Sequence, residues 1–189
     1  RKLESPSVAQ SLMVKAMYTD GRTLKSVLKE NTFKKLEKEF AKYGLPIDNM
    51  LQLKPSMATM MLVVFKLKEM GISNDGVDKY YLKKAVNDSL KVAFLESFDF
   101  QINMITTMGD GNEDEYVRYT LKDLKDMDQL ADITKAWRSG DIENSNKKAL
   151  DFKKDYPDFY RSFLVERNNN WMPKIEALFE DDVIEYILV

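Results

Sequence analysis

The sequence predicts an α/β chain that is predominantly helical, with about eight helices and a few short parallel strands, in one domain spanning residues 1–189. Three observations carry this. Only 7 Gly and 5 Pro occur among 189 residues, which leaves few turns and favours long helices. Apolar residues recur at helical spacing along most of the chain. Two runs, Lys91–Glu96 (KVAFLE) and the β-branched, apolar Val183–Val189 (VIEYILV), break that spacing and read as short buried strands. Their helix–strand–helix order points to a parallel sheet completed by residues outside the 189.

In order along the chain, Val8–Tyr18 reads as a first helix and Asp20-Gly21 as a turn. Phe33, Leu36, Phe40 and Tyr43 fall on one helical face, stopped by Gly44 and Pro46. Glu30 and Lys34 form an i,i+4 pair on its exposed side. Pro55 suits the first turn of the next helix, where its missing N–H costs nothing. That helix runs to about Met70, with Gly71 closing its C-terminus. After the Asn74-Asp75-Gly76 turn, Asp78 is placed to cap a helix from Lys79 to about Leu90. Beyond the first strand, Ser97 or Asp99 starts a helix with Phe98, Ile102 and Ile105 on one face. Met108–Asn112 (MGDGN) breaks the chain. Val117, Leu121 and Leu124 mark the next helix; Leu130, Ile133 and Trp137 mark another, ended by Ser139-Gly140. Lys148–Tyr156 is a further helical stretch before Pro157. A last helix from about Val165 to Glu180 turns Met172, Ile175 and Phe179 inward and leads to the final strand.

Composition narrows the function. The net charge is −2, so no basic excess drives binding to a phosphate backbone, and nucleic acid is not an expected partner. The chain has no Cys and no His. That excludes disulfides, thiol nucleophiles, iron–sulfur clusters, Ser-His-Asp catalysis and imidazole metal ligands from these residues. A metal bound by these residues alone would be a hard cation on carboxylates and carbonyls. The longest apolar run, Met57–Phe65, is half of what a membrane-spanning helix needs. The chain begins at Arg1 without a signal-peptide pattern and stops inside an apolar run, so it reads as an excerpt of a longer protein.

No dinucleotide fingerprint, P-loop, nucleophile elbow or EF-hand loop is present. The acidic stretch Met108–Glu115 reads as a surface turn, and Glu113–Glu115 within it as negative charge at a helix N-terminus. The Met residues read as core packing. Trp137 and Trp171 read as core or edge anchors. Glu96 stands out because it ends an apolar strand, at the sheet edge where open α/β folds bind ligands. A carboxylate there suits a general base or a hard-metal ligand, against the plain reading of a solvated strand end. Glu166-Arg167-Asn168 is dense in polar groups at a helix start, and Arg167 offers a planar fork for a carboxylate.

Five segments, in order, resemble the TraB/PrgY/GumN family, which includes the TIKI metalloproteases. They are Leu53-Lys54-Pro55; Gly76-Val77-Asp78-Lys79-Tyr80-Tyr81-Leu82 with Ala85; Lys91–Ser97 with Gln101; Trp137-Arg138-Ser139-Gly140-Asp141; and Glu166-Arg167-Asn168 with Trp171-Met172. The resemblance covers about residues 24–189. It implies an EreA/ChaN/TIKI-like fold, incomplete in this stretch, and a divalent-metal-dependent, peptidase-like hydrolase. The family's two G-x-x-H motifs are absent; they are expected before Arg1 and directly after Val189, so this chain alone is expected to be inactive. The implied cofactor is a divalent cation of Mn or Co type, with no ligand in this chain except Glu96. Carried over by position, Glu96 and Arg167 are the catalytic candidates, and Gln101, Asn168, Asp78 and Lys54 line or shape the site. The division of labour this suggests has Glu96 supporting or activating a metal-bound water and Arg167 stabilising negative charge. The resemblance also implies a peptide or protein substrate and a bacterial, exported protein, periplasmic or at the cell surface. Exposed strand edges would favour a homodimer. The alternative is a non-catalytic helical module that binds a partner, as in pheromone inhibition.

Overall fold

The computed structural model describes residues 6–72, 76–127, 130–143, 153–154, 156–180 and 185–188. The chain divides into two compact units: residues 1–73 with 98–128, and residues 74–97 with 129–189. The described residues are predominantly helical, as the low Gly and Pro content predicts.

The first unit holds α1 (Pro6–Lys15), the short α2 (Leu24–Val27), α3 (Glu30–Ala41), a 3-10 turn (Ile47–Met50), α4 (Pro55–Glu69), and two helices from later in the chain. The second unit opens with α5 (Val77–Asn87). The chain then returns to the first unit as α6 (Phe98–Thr106) and α7 (Glu113–Asp126). A capping box starts α2: the Thr23 hydroxyl accepts from the Ser26 N–H at 3.2 Å, and the Ser26 hydroxyl accepts from the Thr23 N–H at 2.9 Å. Pro55 occupies the first turn of α4, and Gly71 follows its end at φ +75°, the left-handed conformation that glycine adopts without strain.

The core of this unit gathers the predicted faces of α3 and α7 around α4. Leu36 and Phe40 of α3, Ala58 and Leu62 of α4, and Val117, Leu121 and Leu124 of α7 pack with Leu24, Leu28, Ile47 and Met50. A short polar seam crosses it. Ser56 donates to the Thr106 carbonyl at 3.2 Å, and the buried Thr59 hydroxyl bonds its own helix at Pro55 O, 2.9 Å. Both hydroxyls are paired, so their burial carries little penalty. Glu30 and Lys34 pair as expected, at 2.6 Å.

The second unit holds α5, α8 (Leu130–Ser139), α9 (Pro157–Tyr160), a π turn (Arg161–Val165) and α10 (Glu166–Ala177). Neither α5 nor α10 has a buried residue. The expected inward residues Met172 and Phe179 are 47% and 77% exposed, and Trp137 is 75% exposed rather than an anchor. The stretch predicted over 148–156 falls largely outside the described residues.

Among the described residues no strand forms. An isolated antiparallel bridge joins Met17 to Leu53, flanked by Tyr18 N–H to Gln52 O and Lys54 N–H to Ala16 O, each 2.8 Å. Residues 91–94 and 185–188 take no regular structure, and Phe94 is 64% exposed rather than buried. An apolar, β-branched run becomes a strand only when a neighbour completes its ladder, and no described residue does so here. Asp78 does not cap α5. Gly76 holds the N-cap position and Asp78 sits in the first turn, where its charge meets the positive end of the helix dipole.

Candidate functional site: a clamped carboxylate in the second unit

Glu96 ends the irregular segment before α6, and its side chain is only 6% exposed. Three side chains of α10 reach this segment. Arg167 grips the Glu96 carboxylate bidentately, with Nε to Oε1 at 2.5 Å and Nη2 to Oε2 at 2.8 Å. Trp171 donates its indole N–H to the same Oε1 at 2.8 Å. Lys174 donates to the neighbouring Leu95 carbonyl at 2.5 Å. Residues 167, 171 and 174 follow i, i+4, i+7 spacing, so one helical stripe makes all three contacts. The Arg167 guanidinium also lies 4.9 Å from the Trp171 ring and 5.5 Å from that of Phe163, which sits in the π turn one helical step earlier. These faces add cation–π attraction to the ion pair.

Arg167 is 19% exposed, so both charges are largely removed from water. Such a pair is tolerated only with good geometry and further hydrogen bonds, and a bidentate fork plus an indole donor supply both. Glu96 Oε1 is already shared by two donors. Arg167 keeps Nη1, which has no hydrogen-bond partner among the described residues. The arrangement therefore presents a fixed guanidinium with an available donor, held by a carboxylate. It suits stabilising negative charge on a bound group.

The other sequence-selected residues lie elsewhere. Asn168 is exposed beside Arg167 on α10, and Asp78 is exposed on α5. Gln101 lies half-buried on α6, and Lys54 lies half-buried just before α4, both in the first unit. The structure brings Glu96 and Arg167 into direct contact. It adds Trp171, Lys174 and Phe163, which sequence reasoning did not place in a site; the spacing of 163, 167, 171 and 174 was the available signal.

A divalent metal is implied by the family resemblance, and the described residues do not by themselves make a site for one. Among the described residues no three acidic side chains converge on metal geometry, and Glu96 is engaged by Arg167 and Trp171. Among the described residues no helix is long and apolar enough to cross a membrane.

The fold and this cluster define a helical protein with a clamped carboxylate–guanidinium pair. The model of the TraB/PrgY/gumN family matches residues 1–187, so the chain belongs to that family. No curated protein and no solved structure matches it.

Proposed function

We propose that the chain is part of a divalent-metal-dependent hydrolase acting on peptides, with the Glu96–Arg167 pair in its active site. The supporting observation is the buried bidentate pair itself. A unit whose α5 and α10 bury no residue still desolvates two charges at one point, an expense that core packing does not require. On this reading Glu96 holds Arg167 in place, and Arg167 stabilises the negative charge that develops on the scissile carbonyl oxygen. Trp171 and Lys174 position the segment that carries Glu96. The metal, of Mn or Co type, would polarise the carbonyl or activate a water; its ligands come from residues outside these 189, which contain no histidine.

The test is Glu96→Gln and Arg167→Lys in the complete protein, assayed for metal-dependent peptide hydrolysis and for metal affinity. We expect kcat to fall about 10²-fold or more in Arg167→Lys, with metal affinity retained, as for loss of a transition-state donor. Unchanged hydrolysis in both variants overturns the assignment. A partner-binding module is the second reading, favoured by the exposed Val77, Tyr80 and Tyr81 on α5. It gains if the complete protein hydrolyses no peptide with any divalent cation.

A further inference from the structure

A guanidinium has two edges that can each receive a pair of oxygens, one made by Nε–H and Nη2–H, the other by Nη1–H and Nη2–H. In Arg167, Glu96 occupies the first edge, with Nε to Oε1 at 2.5 Å and Nη2 to Oε2 at 2.8 Å. The second edge is vacant, since Arg167 makes no other hydrogen bond or ion pair among the described residues. One N–H of Nη1 and the remaining N–H of Nη2 leave it side by side, spaced for two oxygens on one carbon. The pair is not sealed, because Arg167 keeps 19% of its side chain exposed. Nor does the edge swing freely. The bonds to Glu96 fix the guanidinium plane, and the rings of Phe163 and Trp171, one turn before and one turn after, lie 5.5 and 4.9 Å from its central carbon. A donor fixed in advance loses little freedom on binding.

Charge favours an anion at that edge. Lys174, exposed on the same stripe, donates to the Leu95 carbonyl at 2.5 Å and pairs with no carboxylate among the described residues. The cluster thus sets two cations, Arg167 and Lys174, against the single carboxylate of Glu96. The excess of one positive charge matches a monoanion with two oxygens.

We propose that the vacant edge of Arg167 binds a carboxylate, and that the acyl product of peptide hydrolysis supplies it. Water adds across the peptide bond as that bond breaks. The acyl carbon keeps its oxygen, gains the water's oxygen and leaves as a carboxylate; the nitrogen takes both of the water's protons and leaves as an ammonium. The scissile carbonyl offers Arg167 one oxygen, whereas the acyl product offers two and a full charge. The product engages both N–H groups of the edge and holds the site against the next substrate. This feedback rests on the reading of Arg167 as an active-site group; the binding of a carboxylate is measured without turnover.

The experiment titrates the complete protein at low salt with N-acetyl-alanine, its methylamide and inorganic phosphate. NMR follows the Arg167 Nε–H and the Trp171 indole N–H, which both lie on the pair. We expect N-acetyl-alanine to shift both resonances saturably and the methylamide, which lacks the carboxylate, to shift neither. Arg167→Lys removes the two-donor edge and should weaken N-acetyl-alanine about tenfold, the scale of one charge-assisted hydrogen bond, read at the Trp171 indole. Lys174→Gln should weaken it about two- to threefold, a difference that fades as salt is raised. In the peptidase assay N-acetyl-alanine should raise KM and leave kcat unchanged. If Arg167→Lys fails to fold, Lys174→Gln, at an exposed position, and the methylamide carry the comparison. The proposal is overturned if N-acetyl-alanine does not saturate, if the methylamide binds equally well, if phosphate binds more tightly, or if both variants bind like the parent. Carboxylate binding in a protein that hydrolyses no peptide supports the edge and overturns the product assignment together with the hydrolase reading. Hydrolysis without carboxylate binding overturns the edge alone.

Discussion

Glu96 and Arg167 are worth most as a pair, and a double-mutant cycle measures that worth. Glu96→Gln keeps the side chain's shape but faces Arg167 with an amide. If the amide oxygen takes the place of Oε1, it keeps the Nε and Trp171 bonds, and the amide N–H₂ then meets Nη2, donor against donor. Arg167→Met leaves Glu96, 6% exposed, without its countercharge. Removing one partner of a buried pair costs about 3–5 kcal/mol. Arg167 keeps some solvent, so we expect about 2–4 kcal/mol for each single change. The double variant removes both charges and should cost less than the sum, with a coupling of about 1.5–3 kcal/mol. Urea unfolding followed by Trp171 emission reads it locally once Trp137, three-quarters exposed, is replaced by Phe in every member. Additivity within about 0.5 kcal/mol would refute the coupling and, with it, the argument that the carboxylate exists to hold the guanidinium.

Tyr18 gives an alkaline prediction. Its phenol titrates near 10 when unfolded and at about 12 when folded, so the stability it contributes is intact below pH 10 and is lost as pH rises to 12. The loss amounts to about 2–3 kcal/mol, and Tyr18→Phe should flatten that part of the curve; an equally steep decline in urea midpoint for both proteins contradicts it. In the acidic turn, a Cβ at Gly109 (φ +79°) would lie 2.5 Å from Tyr116 Cβ, whereas one at Gly111 (φ +83°) meets nothing within 4 Å. Gly111→Ala should cost about 1 kcal/mol from backbone strain alone, and Gly109→Ala about 1–3 kcal/mol more; thermal midpoints that fall equally would show that Tyr116 moves aside freely.

The first unit was legible in the sequence and the second was not, for a physical reason. In α3 and α7 the apolar spacing names the buried face, and Gly71 marks the end of α4, as its φ of +75° confirms. The same spacing in α8 and α10 names Trp137 and Met172, which are exposed. Periodicity reports that a face is apolar; it says nothing about what covers it. The run at 91–96 behaves likewise, since apolar composition is a preference and a strand requires a partner. Glu96 and Arg167 were each picked from their own segments, but their contact spans 71 residues of sequence and is a property of the fold.

The π turn ahead of α10 bears on how that contact is set. Consecutive helical residues are about 100° apart around the axis, so one extra residue in a turn rotates everything beyond it by about that amount relative to what precedes. Arg161–Val165 makes such a turn, and the stripe of Arg167, Trp171 and Lys174 begins directly after it. The turn therefore sets the rotation of α10 about its axis relative to the helix before it. Phe163, inside the turn, is the residue that still touches Arg167 across this change of phase. A wide turn is a weaker arrangement than regular helix, and its position here makes it the element that selects which side chains of α10 face the carboxylate.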